Sequence, residues 1–373
     1  DYDEFLNSGW IGRYIEGDHP NWPTNYPNEN YPDPLSIELG GGGSSILFTA
    51  NQSFTSYLTT NPDGFHEDIL FDPNANYPDD NVGVKLRYID LVKYQSNEYT
   101  STVKNAYEQS ELTHEYEESD FGEQFDIMTR LILGGLNTRI YMVTLGGFDT
   151  HDTQVDPSDN TKGEHAYLLK ELNDKVLTFF QNLDEAGKSD DVLCMTFSEF
   201  GRTIVSNGSR GTDHGTAAPL FIFGNRVNPE ILGENPVIPR GVRWEDNLTP
   251  EYDYRSIYAT VIDQWLTPND SKSETILGRK FDQFELLRSD NDAERWILFP
   301  NPVNDVITIG VPKSISSFHY QIYGLNGRLH NKGNAFVNPS KVYRISADHL
   351  QNGYYLASIR HQNGNEVLKF YKQ

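Results

Sequence analysis

Asp149 and His151 stand two residues apart in the run Gly146-Gly147-Phe148-Asp149-Thr150-His151. In an extended segment that spacing projects both side chains to one side. A carboxylate and an imidazole so presented suit a divalent metal. The same pair also reads as an Asp capping a helix behind a turn, beside a solvent-facing His. The run Ser198-Glu199-Phe200-Gly201-Arg202-Thr203 supplies a second set. Glu199 there would bind metal or act as a base. Arg202 would clamp an oxyanion, because its planar fork matches phosphate or sulfate bidentately. Alternatively the two form a buried pair that fixes the turn and does no chemistry. Gly211-Thr212-Asp213-His214-Gly215-Thr216 is the third set. Its glycines let the backbone approach closely, and adjacent Asp213 and His214 offer further ligands.

These runs need elements to position them, and the surrounding pattern predicts an α/β fold. Arg139–Leu145, Val192–Phe197 and Leu220–Phe223 read as short strands, the first of them a buried parallel one. A helix is expected near Gly163–Leu183, with Leu169, Leu172, Val176, Phe179 and Leu183 on one stripe. Another is expected over Tyr254–Leu266 after the cap Asp253, and a third opens at Asp120 and Glu123 and closes at Gly134-Gly135. Strand–helix–strand alternation implies a parallel sheet with helices on both faces. The three chemical motifs then fall at the strand exits or in the loops joining them, where open α/β sheets bind ligands. Trp22–Pro34 and Gly40–Gly43 read as surface coil or as the walls of a cleft. Glu111–Asp120 reads as a solvated helix face.

Composition limits what the chain can do. Its 373 residues carry 30 Lys and Arg against 54 Asp and Glu, a formal charge of −24. Nucleic acid would be repelled by such a surface. No apolar run is long enough for a transmembrane segment. Cys194 is the one cysteine and reads as a small packed hydrophobe. The chain opens on Asp1-Tyr2-Asp3 rather than on an initiator Met or an export signal, so the expectation is a removed leader or a start part-way into a longer chain.

Charge also divides the chain. Residues 296–373 hold 8 Lys and Arg against 3 Asp and Glu, whereas 1–295 hold 22 against 51. We therefore expect a first domain over 1–289, a polar linker at 290–295 and a separate module over 296–373. Strands are expected at Val306–Ile309, Phe318–Tyr323, Lys341–Ile345, Tyr354–Arg360 and Glu366–Tyr371. Turn signals at Asn326-Gly327, Asn338-Pro339, Asn352-Gly353 and Asn363-Gly364 separate them. This predicts a small all-β sandwich.

GGFDTH, FSEFGRT, NGSRGTDHGTAAPLFIFG and DYRSIYATVIDQWL, in this order, resemble a bacterial family of exported, uncharacterised proteins related to sulfatases and alkaline phosphatases. The resemblance covers roughly residues 5–287, starting with SGWIGRY at Ser8–Tyr14. It implies an alkaline-phosphatase-like α/β core and a metal-dependent hydrolase of phosphate or sulfate esters. Asp149, His151, Glu199, Asp213 and His214 are then the metal-site candidates, Arg202 the substrate-binding one, and the cofactor a divalent metal. Members of the family usually carry a glycine-rich, Asp-containing strand end well upstream of SGWIGRY, from which the superfamily takes a metal-ligand Asp and the nucleophile. The sequence as read holds neither, so the resemblance assigns no nucleophile here.

The last module resembles the C-terminal sorting domain of the type IX secretion system of Bacteroidetes. The likeness is carried by Phe299-Pro300-Asn301-Pro302, by Asn326 and Gly327 in IYGLNGR, by Gly353 and Tyr355 in LQNGYY, and by Lys369 and Lys372 in the ending KFYKQ. It implies passage through an outer-membrane translocon, recognition by a β-barrel shuttle protein, and a secreted or surface-displayed product. The alternative for the first domain is a non-enzymatic surface protein on the same fold. Its Tyr- and Asn-rich loops would bind glycans or partners. On a further reading the chain matters chiefly as cargo.

Overall fold

The computed structural model describes residues 7–19, 21–22, 26–40, 47–50, 57–58, 75–228, 231–288, 295–337 and 341–373. In chain order the first part holds helix α1 (Trp10–Asp18), strands β1 (Ser36–Glu38) and β2 (Tyr57–Leu58), helices α2 (Asn81–Gln109) and α3 (Asp120–Leu133), and strand β3 (Ile140–Met142). Helix α4 (Glu164–Glu185) follows, then strands β4 (Cys194–Met195), β5 (Gly201–Arg202), β6 (His214–Gly215) and β7 (Ile222–Phe223), and helices α5 (Tyr254–Val261) and α6 (Ser273–Leu277). Among the described residues the parallel sheet has the order β2-β1-β3, with Ile37 opposite both Tyr57 and Tyr141.

Expected helices form where their caps and stripes place them. Ser119 rather than Asp120 caps α3, its hydroxyl accepting from Gly122 N at 3.0 Å. Asp120 and Glu123 occupy the first turn instead, where their charge complements the helix dipole. On α4 the buried stripe begins at Leu168, beneath Gly147, and Leu169 faces outward. Phe125 of α3 meets Phe179 of α4 edge-on at 5.6 Å and Phe121 at 4.9 Å, which fixes the two helices on one core. That core runs from Ile11 to Ile276 and includes Ile37, Tyr99, Leu131, Val176 and Leu183. Cys194 packs against enough bulk that burial pushes its thiol pKa up to about 12, so the thiol stays protonated.

Several elements depart from the sequence pattern. β4 and β7 pair antiparallel, Cys194 opposite Phe223. The chain between them carries the β5–β6 pair and no helix, whereas parallel neighbours are usually joined by a helical crossover. Glu111–Asp120 is irregular up to the start of α3, because the amides of Thr113 and His114 are held by the Asn182 side chain at 2.9 and 3.0 Å. Within Trp22–Pro34, Trp22 and Tyr26 are buried and meet edge-on at 4.7 Å, so that segment contributes to the core. Of the glycine run Gly40–Gly43, residues 41–43 lie outside the described residues, as do 290–294 of the linker and the Asn338-Pro339 turn.

The last part is all β: β8 (Ile297–Phe299), β9 (Val306–Gly310), β10 (Ser317–Gly324), β11 (Leu329–Phe336), β12 (Val342–Ser346), β13 (Gly353–His361) and β14 (Gly364–Lys372). They form two antiparallel sheets, β11-β10-β13-β14 and β12-β9-β8. The inward alternation Tyr355, Ala357, Ile359 meets Phe318, Tyr320, Ile322 and Ile307, Ile309 in a core of its own. β11 (LHNKGNAF) escapes a sequence reading because it is a largely polar edge strand whose Ala335 alone is buried. The sorting motifs meet across this module. Asn301 Oδ1 accepts the Tyr371 amide at 3.0 Å, and Val303 exchanges backbone bonds with Tyr371 and Gln373 at 2.7 and 3.0 Å. Those bonds tie the Pro300–Pro302 opening to the ending that holds Lys372. Asn326 Oδ1 accepts Arg328 N at 3.0 Å while Gly327, at φ +78°, supplies the left-handed turn. Gly353 begins β13, and Tyr355 stacks on Phe370. Lys369 lies 4.5 Å from the centre of the Tyr354 ring.

Candidate metal centre

Two of the three motifs converge through a short hairpin. β5 and β6 pair antiparallel with Arg202 opposite His214, so the arginine and the histidine are presented side by side. The pairing demands glycine at its other rung. A Cβ on Gly201 would lie 1.9 Å from Ala217 O, and one on Gly215 2.3 Å from the Arg202 backbone. The loop holding Asp149 and His151 is stitched to the same place. Thr212 N donates to Thr150 O at 3.2 Å, and Gly211 passes so near that a Cβ there would lie 2.3 Å from the His151 carbonyl.

Asp149 is the hub. Its Oδ1 lies 2.8 Å from His214 Nε2, 3.1 Å from His151 Nε2 and 2.9 Å from Arg202 Nη1. His151 turns its other nitrogen, Nδ1, to Asp213 Oδ1 at 3.0 Å. Among the described residues, Asp149, His151 and His214 form the group whose candidate ligand atoms all lie within 4.8 Å of one another. Asp149, His151, Asp213 and His214 are each about half exposed. The Arg202 guanidinium, and then His214 and His151, hold the Asp149 carboxyl below its usual range. His151, and then Asn207, do the same for Asp213.

Glu199 is exposed and stands outside this group. Arg202 turns inward to the protein: Nε donates to Thr212 Oγ1 at 2.9 Å, Nη2 to Thr212 O, and Nη1 to Asp149. It therefore stabilises the carboxylate and the Thr212 turn, using three of its five donors.

Sequence reasoning missed the residues that hold the cluster in place. Asn207 donates to His151 O at 2.7 Å and accepts from the amides of Ser209 and Gly211 at 2.9 and 3.1 Å. Gln154 Oε1 gathers the hydroxyls of Thr150 and Thr212 at 2.9 and 2.7 Å. Phe200 stacks on His214, ring centroids 3.8 Å apart and planes 8° from parallel. His165, at the start of α4, meets Phe148 edge-on at 5.9 Å; burial, and then the Arg202 charge, push its pKa down. NGSRG could have pointed to Asn207, since Asn closes its own turns through side-chain bonds. Nothing local distinguishes Gln154 or His165.

Against known proteins, residues 90–283 match the family described as "Protein of unknown function (DUF1501)". The chain belongs to this family. The DUF1501 match takes in α3, α4 and all of the candidate centre, just over half of the 373 residues. Residues 297–373 match the description "Secretion system C-terminal sorting domain". This DUF1501 protein is therefore handled by the type IX secretion system and exported to the cell surface or released. Among the described residues no helix is long and apolar enough to cross a membrane.

Two solved structures overlap the chain in part. A DUF3244 family protein with an immunoglobulin-like β-sandwich fold from Bacteroides vulgatus is 16% identical over 23% of this chain and 90% of that one, with a TM-score of 0.19. Dimeric latent PorU from Porphyromonas gingivalis is 26% identical over 21% of this chain and 9% of that one, with a TM-score of 0.17. No curated protein sequence matches the chain.

Proposed function

We propose that the DUF1501 region is a metal-dependent hydrolase of phosphate or sulfate esters on an alkaline-phosphatase-like fold, delivered to the cell surface by its sorting domain. The observation that carries this reading is the convergence of Asp149, His151 and His214. Two imidazoles and a carboxylate are the donor set of a borderline divalent cation such as zinc. Asp213 behind His151 Nδ1 is the outer carboxylate that fixes a ligating imidazole and points its Nε2 inward. A divalent cation held there would polarise an ester oxygen and stabilise charge on the transferring group. The residues of the chain do the rest: Phe200 holds the plane of His214, Asn207 holds the loop of His151, and Arg202 holds the Asp149 carboxyl below its usual range. During export, the module over 296–373 engages the outer-membrane translocon and its β-barrel shuttle protein.

Metal content decides the reading. Mass spectrometry on the purified chain should find near-stoichiometric metal that the Asp149→Ala/His214→Ala double variant loses. A chain that takes up no divalent metal when supplied with it would overturn the hydrolase reading. A second reading has its own observation, since Arg202 already occupies Asp149. On that reading the cluster is a salt-bridged latch in a surface protein that binds glycans or partners, and the chain would then hold no metal.

A further inference from the structure

Between β7 and α5 the described residues form no helix or strand, and residues 231–253 make an irregular excursion whose apolar side chains stand in solvent. Ile231 is 93% exposed, Val237 87%, Trp244 75% and Ile238 61%. Three of the four most exposed large apolar residues among those described fall in this one stretch. Single apolar residues scattered over a surface are ordinary, whereas a concentration of them marks a site of contact. We propose that this excursion seats on a phospholipid surface, with its apolar tips at the headgroup boundary and its arginines on lipid phosphates. The inference rests on the surface alone and stands apart from the hydrolase reading.

Charge favours that occupant. The first domain is strongly acidic, yet residues 235–244 (NPVIPRGVRW) hold Arg240 and Arg243 and no Asp or Glu. Arg243 Nη1 lies 3.6 Å from Glu245 Oε1, and Arg240 has no ionic partner among the described residues. Two flanking carboxylates are engaged by the backbone: Glu251 Oε2 accepts the Glu234 amide at 2.8 Å, and Asp246 Oδ2 the Arg243 amide at 2.7 Å. The rest of the domain repels anionic lipid, but that field is screened over about 8 Å at physiological salt. Trp rings sit at headgroup level at membrane–water interfaces, and Arg buries its stem there while its head meets phosphate.

Shape favours lipid over a folded partner. The base of the excursion is held, since Thr216 Oγ1 donates to Leu248 O at 2.7 Å and Tyr252 meets Phe284 edge-on at 5.0 Å. Its tip has no helix or strand face to match the relief of another protein, and a lipid surface needs no such match. Pro236 and Pro239 lack amide N–H groups, which lowers the cost of laying this backbone among headgroups. Irregular backbone does not enter hydrocarbon, so the contact stops at the interface.

The test is flotation of the full chain with phosphatidylcholine vesicles containing phosphatidylglycerol, at physiological salt. The chain should float with the vesicles and partition saturably. Trp244→Ala and, separately, Val237→Asn/Ile238→Asn should each weaken partitioning by about tenfold or more, the factor set by withdrawing one or two apolar side chains. Arg240→Gln should weaken it by roughly fivefold, and by less when phosphatidylglycerol is left out. Phe336→Asn is the control: that side chain is as exposed but lies on β11 of the sandwich, and partitioning should not change. These positions all face solvent, so the substitutions leave both cores intact. An absence of flotation at roughly millimolar lipid would overturn the proposal. So would an equal loss in Phe336→Asn, or unchanged partitioning in the Trp244 and Val237/Ile238 variants. A chain that ignores vesicles but self-associates in sedimentation, and stops doing so as Val237→Asn/Ile238→Asn, would make a second copy the occupant and overturn the lipid assignment.

Discussion

In the sorting sandwich a ladder runs unbroken from Gly353 opposite Lys372 to His361 opposite Gly364, and Tyr355, Ala357 and Ile359 of β13 point into an apolar core. Around Asp149 the strands are two residues long, and the side chains that meet are polar and, Arg202 apart, about half exposed. Position in the first region follows from burial, which is indifferent to small angular errors. In the second it follows from directional bonds, Asn207 to His151 and Gln154 to Thr150 and Thr212, and from glycines where backbones nearly touch. The two should therefore fail differently. The sandwich should lose stability when an apolar side chain is trimmed, and the centre should lose geometry when a single polar atom is removed.

The largest effect tests whether the two cores are separate at all. Phe125 is 1% exposed in the first cluster and Ile359 is 0% exposed in the second. Phe125→Ala should cost about 3–5 kcal/mol and Ile359→Ala about 2–5 kcal/mol. In calorimetry of the full chain each should shift one unfolding transition and leave the other in place. If either substitution moved both transitions together, the clusters would be one cooperative unit and the contrast would collapse.

A smaller effect belongs to the polar clamp. Asn207→Ala removes four bonds at once and leaves the His151 carbonyl, the Asp213 carboxylate and two amides without them. We expect metal affinity at the Asp149 group to fall by about 10- to 100-fold, the range for groups that orient ligands. The transition of the sandwich should not move. Unchanged metal uptake would mean that the β5–β6 hairpin alone positions the histidines.

The same contrast explains what the sequence disclosed. The strands of the sandwich were legible because Ile307 and Ile309, and Tyr355, Ala357 and Ile359, alternate beside Asn-Gly turns. β11 was hidden by its polarity. Helices α3 and α4 showed through their stripes, but α2, which spans Asn81–Gln109, has a weak apolar stripe for its length and gave no signal. Of the candidate centre, Asp149, His151, Asp213 and His214 stood out because their types are rare neighbours. Glu199 stood out equally and is not a member of the converging group. Residue type marks which side chains can do chemistry, whereas convergence depends on loops whose bonds are not periodic.

The smallest expected effect separates Arg202 as a support of Asp149 from Arg202 as a substrate clamp. An Asp carboxyl usually titrates near 3.8, and that of Asp149 is lowered chiefly by the Arg202 hydrogen bond. A depressed carboxyl contributes its contact above the unfolded value and loses it as pH falls through the folded one. Carboxyl carbon shifts in the native chain should therefore place the Asp149 midpoint below 3.8. Arg202→Met should raise that midpoint toward the usual value. Asp213, held first by His151, should keep most of its depression in the same variant. An unmoved Asp149 midpoint would show that the guanidinium is not what depresses this carboxyl. Its fork would then be available to an anionic substrate, and the centre would lose the polar bond that most distinguishes it from the sandwich.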